Sequence, residues 1–279
     1  MHGKKIITWI SLPFPGEKYF ARLPWNYSRY WLTIRLHLRL VIWIFLLCCL
    51  LPVNTRANNL LEIVAFGDSI TQGYKNNGHG NQWGITSPPH GARVGGYEPY
   101  LEELFAGDSR TGRFTAYVYN WGYGGENTIT GVGRLSSILA GTSGRYAFCL
   151  LMEGANDLYA GISASTTSFD LGRMVDICRQ AKVTPIVSTI TKNWNTPAGN
   201  LIPEQYNPAI ITMAQAKQVI LVDQYAMTQQ YWSSVFTGDH LHLNDLGDRK
   251  MAGVWFGGLL RDDRFRTGFL PAVFLLLHH

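Results

Sequence analysis

The chain has 279 residues, enough for one sizeable core and too few for several full-sized domains. Its net charge of +5 is unevenly spread: eight of the 24 basic residues but one of the 19 acidic ones lie in residues 1–59, leaving 16 basic against 18 acidic in the remainder. A slightly acidic body offers no basic patch for nucleic acid, so the excess charge belongs to the leader and not to a binding face.

Within that leader, Arg35, His37 and Arg39 stand directly before the apolar run 40–53, LVIWIFLLCCLLPV, and Thr55-Arg56-Ala57 follows it. A basic flank, an apolar run and a small-residue step match a secretory signal cleaved after Ala57, which predicts a secreted or periplasmic protein. The run falls short of the roughly 20 apolar residues that a bilayer span needs. An uncleaved anchor is the alternative, and the leader would then be the chain's membrane contact. Cys48 and Cys49 leave with the leader. Cys149 and Cys178 stay, either as small buried apolar residues or as a disulfide in an oxidising compartment.

The body, residues 60–260, opens on LLEIVAFGDSITQG (60–73), an apolar strand-like run that stops at Gly67-Asp68-Ser69. Ser69 is the candidate nucleophile. A serine at a strand tip, with a helix beginning after it, holds its hydroxyl clear of the sheet and faces helix amides that favour negative charge. The plainer reading is a helix cap. Gly67 is expected to take backbone angles closed to other residues. Residues 75–95, rich in Gly, Asn and Pro, form a loop beside the serine. Then come a short helix over 97–105, a strand over 114–120, a glycine-rich turn over 121–127 (WGYGGEN) and a helix over 128–139.

Residues 146–152 are almost wholly apolar, as in a strand covered on both faces, and end at Glu153-Gly154-Ala155-Asn156-Asp157. Helical spacing over 169–181, a strand over 184–190, a loop over 191–203, a helix over 204–217, a strand over 219–222 and a last helix over 245–260 complete the body. The alternation predicts a parallel sheet with right-handed crossovers, in an open three-layer α/β/α domain. Ser69, Gly125 and Asn156 each follow one of the first three strands, and ligands gather at such carboxyl ends.

Acyl transfer by a serine needs a base, a group that orients the base, and donors for the developing oxyanion. Thr237-Gly238-Asp239-His240-Leu241-His242 supplies Asp239 and His242 three residues apart, so the carboxylate can reach Nδ1 and leave Nε2 for Ser69. Candidate oxyanion donors are the backbone N–H groups of Ser69 and Gly125 and the side-chain amide of Asn156. Singly, Gly125 reads as a turn glycine, Asn156 as a cap and His242 as a structural histidine; their convergence carries the argument. Asp239, His240 and His242 also offer three metal-ligand types in four residues, but a catalytic metal normally takes three well-directed protein ligands. GxSxG, SxxK, a Walker loop and a strand-linked GxGxxG are absent.

Gly67-Asp68-Ser69-Ile70-Thr71, Asn120 to Thr128 (NWGYGGENT), Gly154-Ala155-Asn156-Asp157 and Asp239 to His242 resemble, in order, the four motifs of the SGNH, or GDSL, hydrolases. The resemblance implies a flavodoxin-like five-stranded parallel sheet of order 2-1-3-4-5. It also implies a serine esterase without metal or cofactor, with Ser69 as nucleophile, His242 as base and then acid, and Asp239 as the orienting acid. The second motif is one residue longer than the commoner G-x-T ending, which leaves Gly124 beside Gly125 as the oxyanion glycine. Residues 75–95 and 261–279 have no counterpart in the family pattern. The family's substrates span acetylated sugars, lysophospholipids, acyl thioesters and aryl esters. Trp121, Tyr123, Tyr159, Trp83 and Trp194 flank the motifs, as sugar-stacking or acyl-pocket walls or as core filling. They favour a short-chain or carbohydrate O-acyl ester as a small-molecule or glycan substrate. Lipid or thioester hydrolysis, acyl transfer to a glycan hydroxyl, and glycan binding without catalysis are the alternatives.

Overall fold

The computed structural model describes residues 59–74, 95–193 and 196–266. The leader with its Ala57 cleavage step, most of the 75–95 loop with Trp83, Trp194, and residues 267–279 lie outside the described residues.

Among the described residues the sheet has five strands, β1 (Asn59–Gly67), β2 (Phe114–Gly122), β3 (Phe148–Met152), β4 (Thr184–Ser188) and β5 (Ile220–Val222), of which the wholly apolar β3 is buried on both faces while β2 buries alternate residues. All neighbouring pairs are parallel, in the order β2-β1-β3-β4-β5. The expected three-layer α/β/α architecture and strand order are what the structure has. Gly67 stands in register with Gly122 on one side and Met152 on the other, so the first three strands end level with one another. That level edge is what brings three separate loop tips together.

The helices are α1 (Ser69–Gln72), α2 (Glu98–Gly107), α3 (Thr128–Leu139), α4 (Ala155–Ala160), α5 (Ala164–Gln180), α6 (Asn207–Ala216), α7 (Gln224–Gln230), α8 (Trp232–Val235), α9 (Asp245–Leu259) and α10 (Asp263–Arg266). α3, α5 and α6 pack side by side on one face of the sheet, and α2 packs with α9. The centre is closed: Ile63 to Phe66 and Phe148 to Leu151 have no accessible surface.

Several boundaries differ from the sequence expectation, each for a local reason. α5 starts five residues before 169 because Ser163 caps it, its Oγ accepting from Thr166 N at 3.2 Å. The expected helix over 204–217 begins as a π-helical turn over Ile202–Tyr206, and regular α6 starts only beside Pro208, whose ring lacks an N–H. β2 runs on through Trp121 and Gly122, shortening the turn to residues 123–127. α10 docks on the core: Phe265 is buried against Phe105, Phe114 and Phe148, and Arg264 Nη2 donates to Thr184 Oγ1 at 2.7 Å. Cys149 and Cys178 are buried free thiols; burial, then the Cys178 thiol beside it, pushes Cys149 well above its ordinary value.

Candidate active site

Ser69 is the first residue of α1, directly beyond β1. Asp68 caps that helix, its Oδ1 accepting from Ile70 N at 2.8 Å. Gly67 differs from expectation. It is not among the positive-φ glycines; a Cβ there would lie 2.2 Å from Thr71 Oγ1 and 2.5 Å from the Met152 carbonyl oxygen. The residue is small because β3 and α1 press on it, not because its backbone is unusual.

The candidate base, His242, arrives from the other end of the sequence. Thr237 N donates to the His242 carbonyl at 2.8 Å, and Phe236 and Leu243 form an antiparallel bridge, so residues 236–243 close on themselves. Asp239 Oδ1 fills the loop, accepting from Leu241 N and His242 N at 3.0 Å each and from Thr237 Oγ1 at 2.8 Å. His240 takes φ of 57° to complete the turn. Asn244 then caps α9, its Oδ1 accepting from Gly247 N at 3.0 Å.

Within this frame, Asp239 Oδ2 lies 2.7 Å from His242 Nδ1, and His242 Nε2 lies 2.8 Å from Ser69 Oγ. With a carboxylate on one side, Nδ1 carries the proton and Nε2 presents a lone pair to the hydroxyl. His242 is 8 % exposed, and the Tyr74 ring meets it edge-on at 4.8 Å between centroids. Both imidazole nitrogens are engaged, and among the described residues no group of three or more His, Cys, Asp or Glu is arranged to hold a metal ion.

The oxyanion candidates lie on the same edge. Asn156 is on α4, beyond β3, and its Nδ2 donates to the Glu126 carbonyl at 2.7 Å. Gly125 has φ of 81° with open space where a Cβ would be, while a Cβ on Gly124 would stand 3.8 Å from that of Ser69 and 2.9 Å from Gln72 Oε1. Gly124 therefore stands against the serine, and Gly125 follows it in the same turn. Asp157, next to Asn156, has a different task. It is fully buried and accepts from Thr128 N at 2.9 Å and Thr167 Oγ1 at 2.8 Å, tying α3 to α5.

The aromatic residues divide. Trp121 is packed against the core, whereas Tyr123 and Tyr159 are 46 % and 44 % exposed at the site edge, Tyr159 accepting at its hydroxyl from Asn193 Nδ2 at 2.7 Å. Beneath the site sits a set of buried acids to which the sequence reading gave no role. Burial, opposed by the Ile70 N–H and reinforced by Asp157 and Glu126, raises the Asp68 carboxyl to about 7. Burial, then the charges of Asp68 and Glu126, raises Glu153 well above the usual range. Arg134 also escaped the sequence reading. One arginine on an amphipathic helix looks like a solvated face, and only the folded chain reveals its partners.

A profile of the GDSL-like lipase/acylhydrolase family matches residues 65–250. No curated protein matches the sequence. Among solved structures, a lipolytic protein of the G-D-S-L family from Veillonella parvula DSM 2008 is similar at 19 % identity and TM-score 0.56, covering 72 % of this chain and 100 % of that one. A lipase/acylhydrolase from Enterococcus faecalis gives 20 % identity and TM-score 0.56, covering 71 % and 95 %. Axe2, an acetylxylan esterase from Geobacillus stearothermophilus solved as a catalytic mutant, gives 17 % and 0.57, covering 71 % and 94 %. At such identities the structural likeness speaks for the fold, and the profile, which spans well over half the sequence and all four motifs, speaks for descent: the chain belongs to the GDSL-like lipase/acylhydrolase family.

Proposed function

We propose that this protein is a serine esterase that cleaves carboxylic esters through an acyl-enzyme, with Ser69, His242 and Asp239 as its triad. The observation that carries this is the unbroken chain of two hydrogen bonds, 2.7 Å from Asp239 Oδ2 to His242 Nδ1 and 2.8 Å from His242 Nε2 to Ser69 Oγ. Ser69 Oγ attacks the ester carbonyl carbon as its proton passes to Nε2. The tetrahedral oxyanion is met by the N–H groups of Ser69 and Gly125 and the Asn156 amide. The imidazolium then protonates the departing alkoxide, leaving the acyl group on Ser69. Water, deprotonated by Nε2, attacks that acyl carbon; the proton returns to Oγ and the carboxylic acid leaves.

For the substrate, the supporting features are the exposed rings of Tyr123 and Tyr159 beside the site, surfaces on which a sugar can stack. We read the substrate as a short-chain or carbohydrate O-acetyl ester. On the strength of the basic-flanked apolar leader, we place the enzyme outside the cytoplasm, which N-terminal sequencing of the protein as exported checks. Turnover of p-nitrophenyl acetate, of longer acyl esters and of acetylated xylo-oligosaccharides by wild type, Ser69→Ala and His242→Ala tests the whole reading. Either substitution is expected to lower kcat by about 10⁴-fold or more, with loss of fluorophosphonate labelling in Ser69→Ala. Unchanged turnover in either variant refutes the mechanism, and acyl-sugar formation with an acceptor present would reassign the site to acyl transfer.

A further inference from the structure

Arg134 projects from α3 into the base of the site and divides its donors among three segments. Nη1 donates to the Trp121 carbonyl at 2.7 Å, at the end of β2. Nη2 donates to the Gly67 carbonyl at 3.2 Å, at the end of β1 and two residues before Ser69. Nε donates to both carboxylate oxygens of Glu126 at 2.8 Å, and Nη2 meets Glu126 Oε2 closely. The guanidinium lies over the Phe66 ring, 4.1 Å from its centroid, which removes water from that face.

Glu126 carries the connection onward. Its N–H donates to the Tyr123 carbonyl at 3.2 Å, closing the turn that holds Gly124 and Gly125, and Tyr123 N in turn donates to the Gly67 carbonyl at 2.8 Å. Its own carbonyl receives Asn156 Nδ2 at 2.7 Å. One hydrogen of that amide is thereby committed, which sets the plane of the other. We propose that the buried Arg134–Glu126 pair is the positioning element of the oxyanion side of the site, fastening the Gly125 turn and the Asn156 amide to the strand end that carries Ser69. The inference rests on the esterase reading above and goes beyond the triad to what holds its donors still.

Two further facts favour positioning over simple stabilisation. The pair is 19 % and 4 % exposed at its side chains, and a buried ion pair is a poor source of net stability but a stringent geometric constraint when the arginine fork is shared out. The neighbouring carboxyl of Glu153 is fully buried, and neither of its oxygens receives an N–H or O–H donor. Burial, then the charges of Asp68 and Glu126, holds the Glu153 carboxyl well above its usual range. With its carboxyl pushed towards the neutral form, Glu153 does not compete with Glu126 for the Arg134 guanidinium.

Arg134→Lys, which keeps the charge but loses the fork, and Glu126→Gln, which keeps the shape but loses the charge, test this in the full chain against wild type and an Arg179→Lys control on the outer face of α5. Expected are faster amide hydrogen exchange confined to residues 121–127 and a 10- to 100-fold fall in kcat on p-nitrophenyl acetate, in proportion to what removal of an oxyanion donor does. KM should stay within about threefold, with no change in the control. If Arg134→Lys does not fold, Glu126→Gln decides alone. Unchanged exchange in 121–127, exchange accelerated throughout the sheet, or kcat within twofold of wild type each overturns the inference. Absence of turnover and of fluorophosphonate labelling in the wild type overturns instead the esterase reading, and the exchange measurement still decides whether the pair fastens the loop.

Discussion

Asn156 is held by a carbonyl acceptor and not by packing, since its Nδ2 donates to Glu126 O at 2.7 Å and its neighbour Asp157 bears the structural ties to α3 and α5. Asn156→Ala should therefore leave the fold nearly intact while lowering kcat by 10²- to 10³-fold, about 2.7–4 kcal/mol of transition-state stabilisation. Steady-state kinetics beside a thermal melt separate the two effects, and a melting point that collapses with kcat would show the amide to be structural. Asp239 is bound more heavily, accepting four hydrogen bonds. Asp239→Asn places an amide opposite His242 Nδ1, where its NH₂ favours the wrong tautomer, and kcat should drop by roughly 10⁴-fold. Their places, Asn156 just beyond β3 and Asp239 three residues before His242, were legible because each stands in a short run of particular residue types. Arg134 and Glu126 were not, because carbonyl acceptors from β1 and β2 leave no mark on residue type.

Glycines on α9 separate two kinds of constraint within one helix. Gly253 and Gly257 are exposed, and nothing lies within 4 Å of where their Cβ atoms would stand. Alanine at either position should raise stability by about 0.5–1 kcal/mol by narrowing the unfolded ensemble and favouring the helix, without touching the site. Gly258 faces inward, and a Cβ there would fall 2.3 Å from Val222 Cγ1 on β5. Gly258→Ala should destabilise by pushing α9 off the sheet edge. Thermal melts of the three variants read the contrast directly, and equal shifts would refute the packing argument. The long elements were legible from apolar runs and helical spacing because burial dictates both. The short helices α4, α7 and α8 were not; each spans seven residues or fewer, too short for a period to emerge, and tertiary contacts maintain them.

Taken over the whole molecule, the buried acids impose a pH dependence opposite to that of most proteins. Asp68 is raised to about 7, chiefly by burial, and burial likewise raises Glu98, at the start of α2, and Glu153, just beyond β3. In the unfolded chain these groups titrate near 4, so above that pH the unfolded state releases protons that the folded state keeps. Fewer protons bound by the unfolded state means that stability falls as pH rises. For Asp68 the contribution is fully present below about pH 4 and is lost by about pH 7, a loss on the order of 4 kcal/mol for a shift from 3.8 to about 7. Glu98 and Glu153, raised likewise by burial, act with the same sign. The melting temperature should accordingly decline from pH 5 to pH 8. Asp68→Asn keeps an oxygen to accept from Ile70 N, so the α1 cap survives while this titration disappears. The variant should melt less steeply with pH than wild type, its advantage growing towards pH 8; a wild-type melting point that climbs over that interval would overturn the assignment of these carboxyls as protonated within the fold.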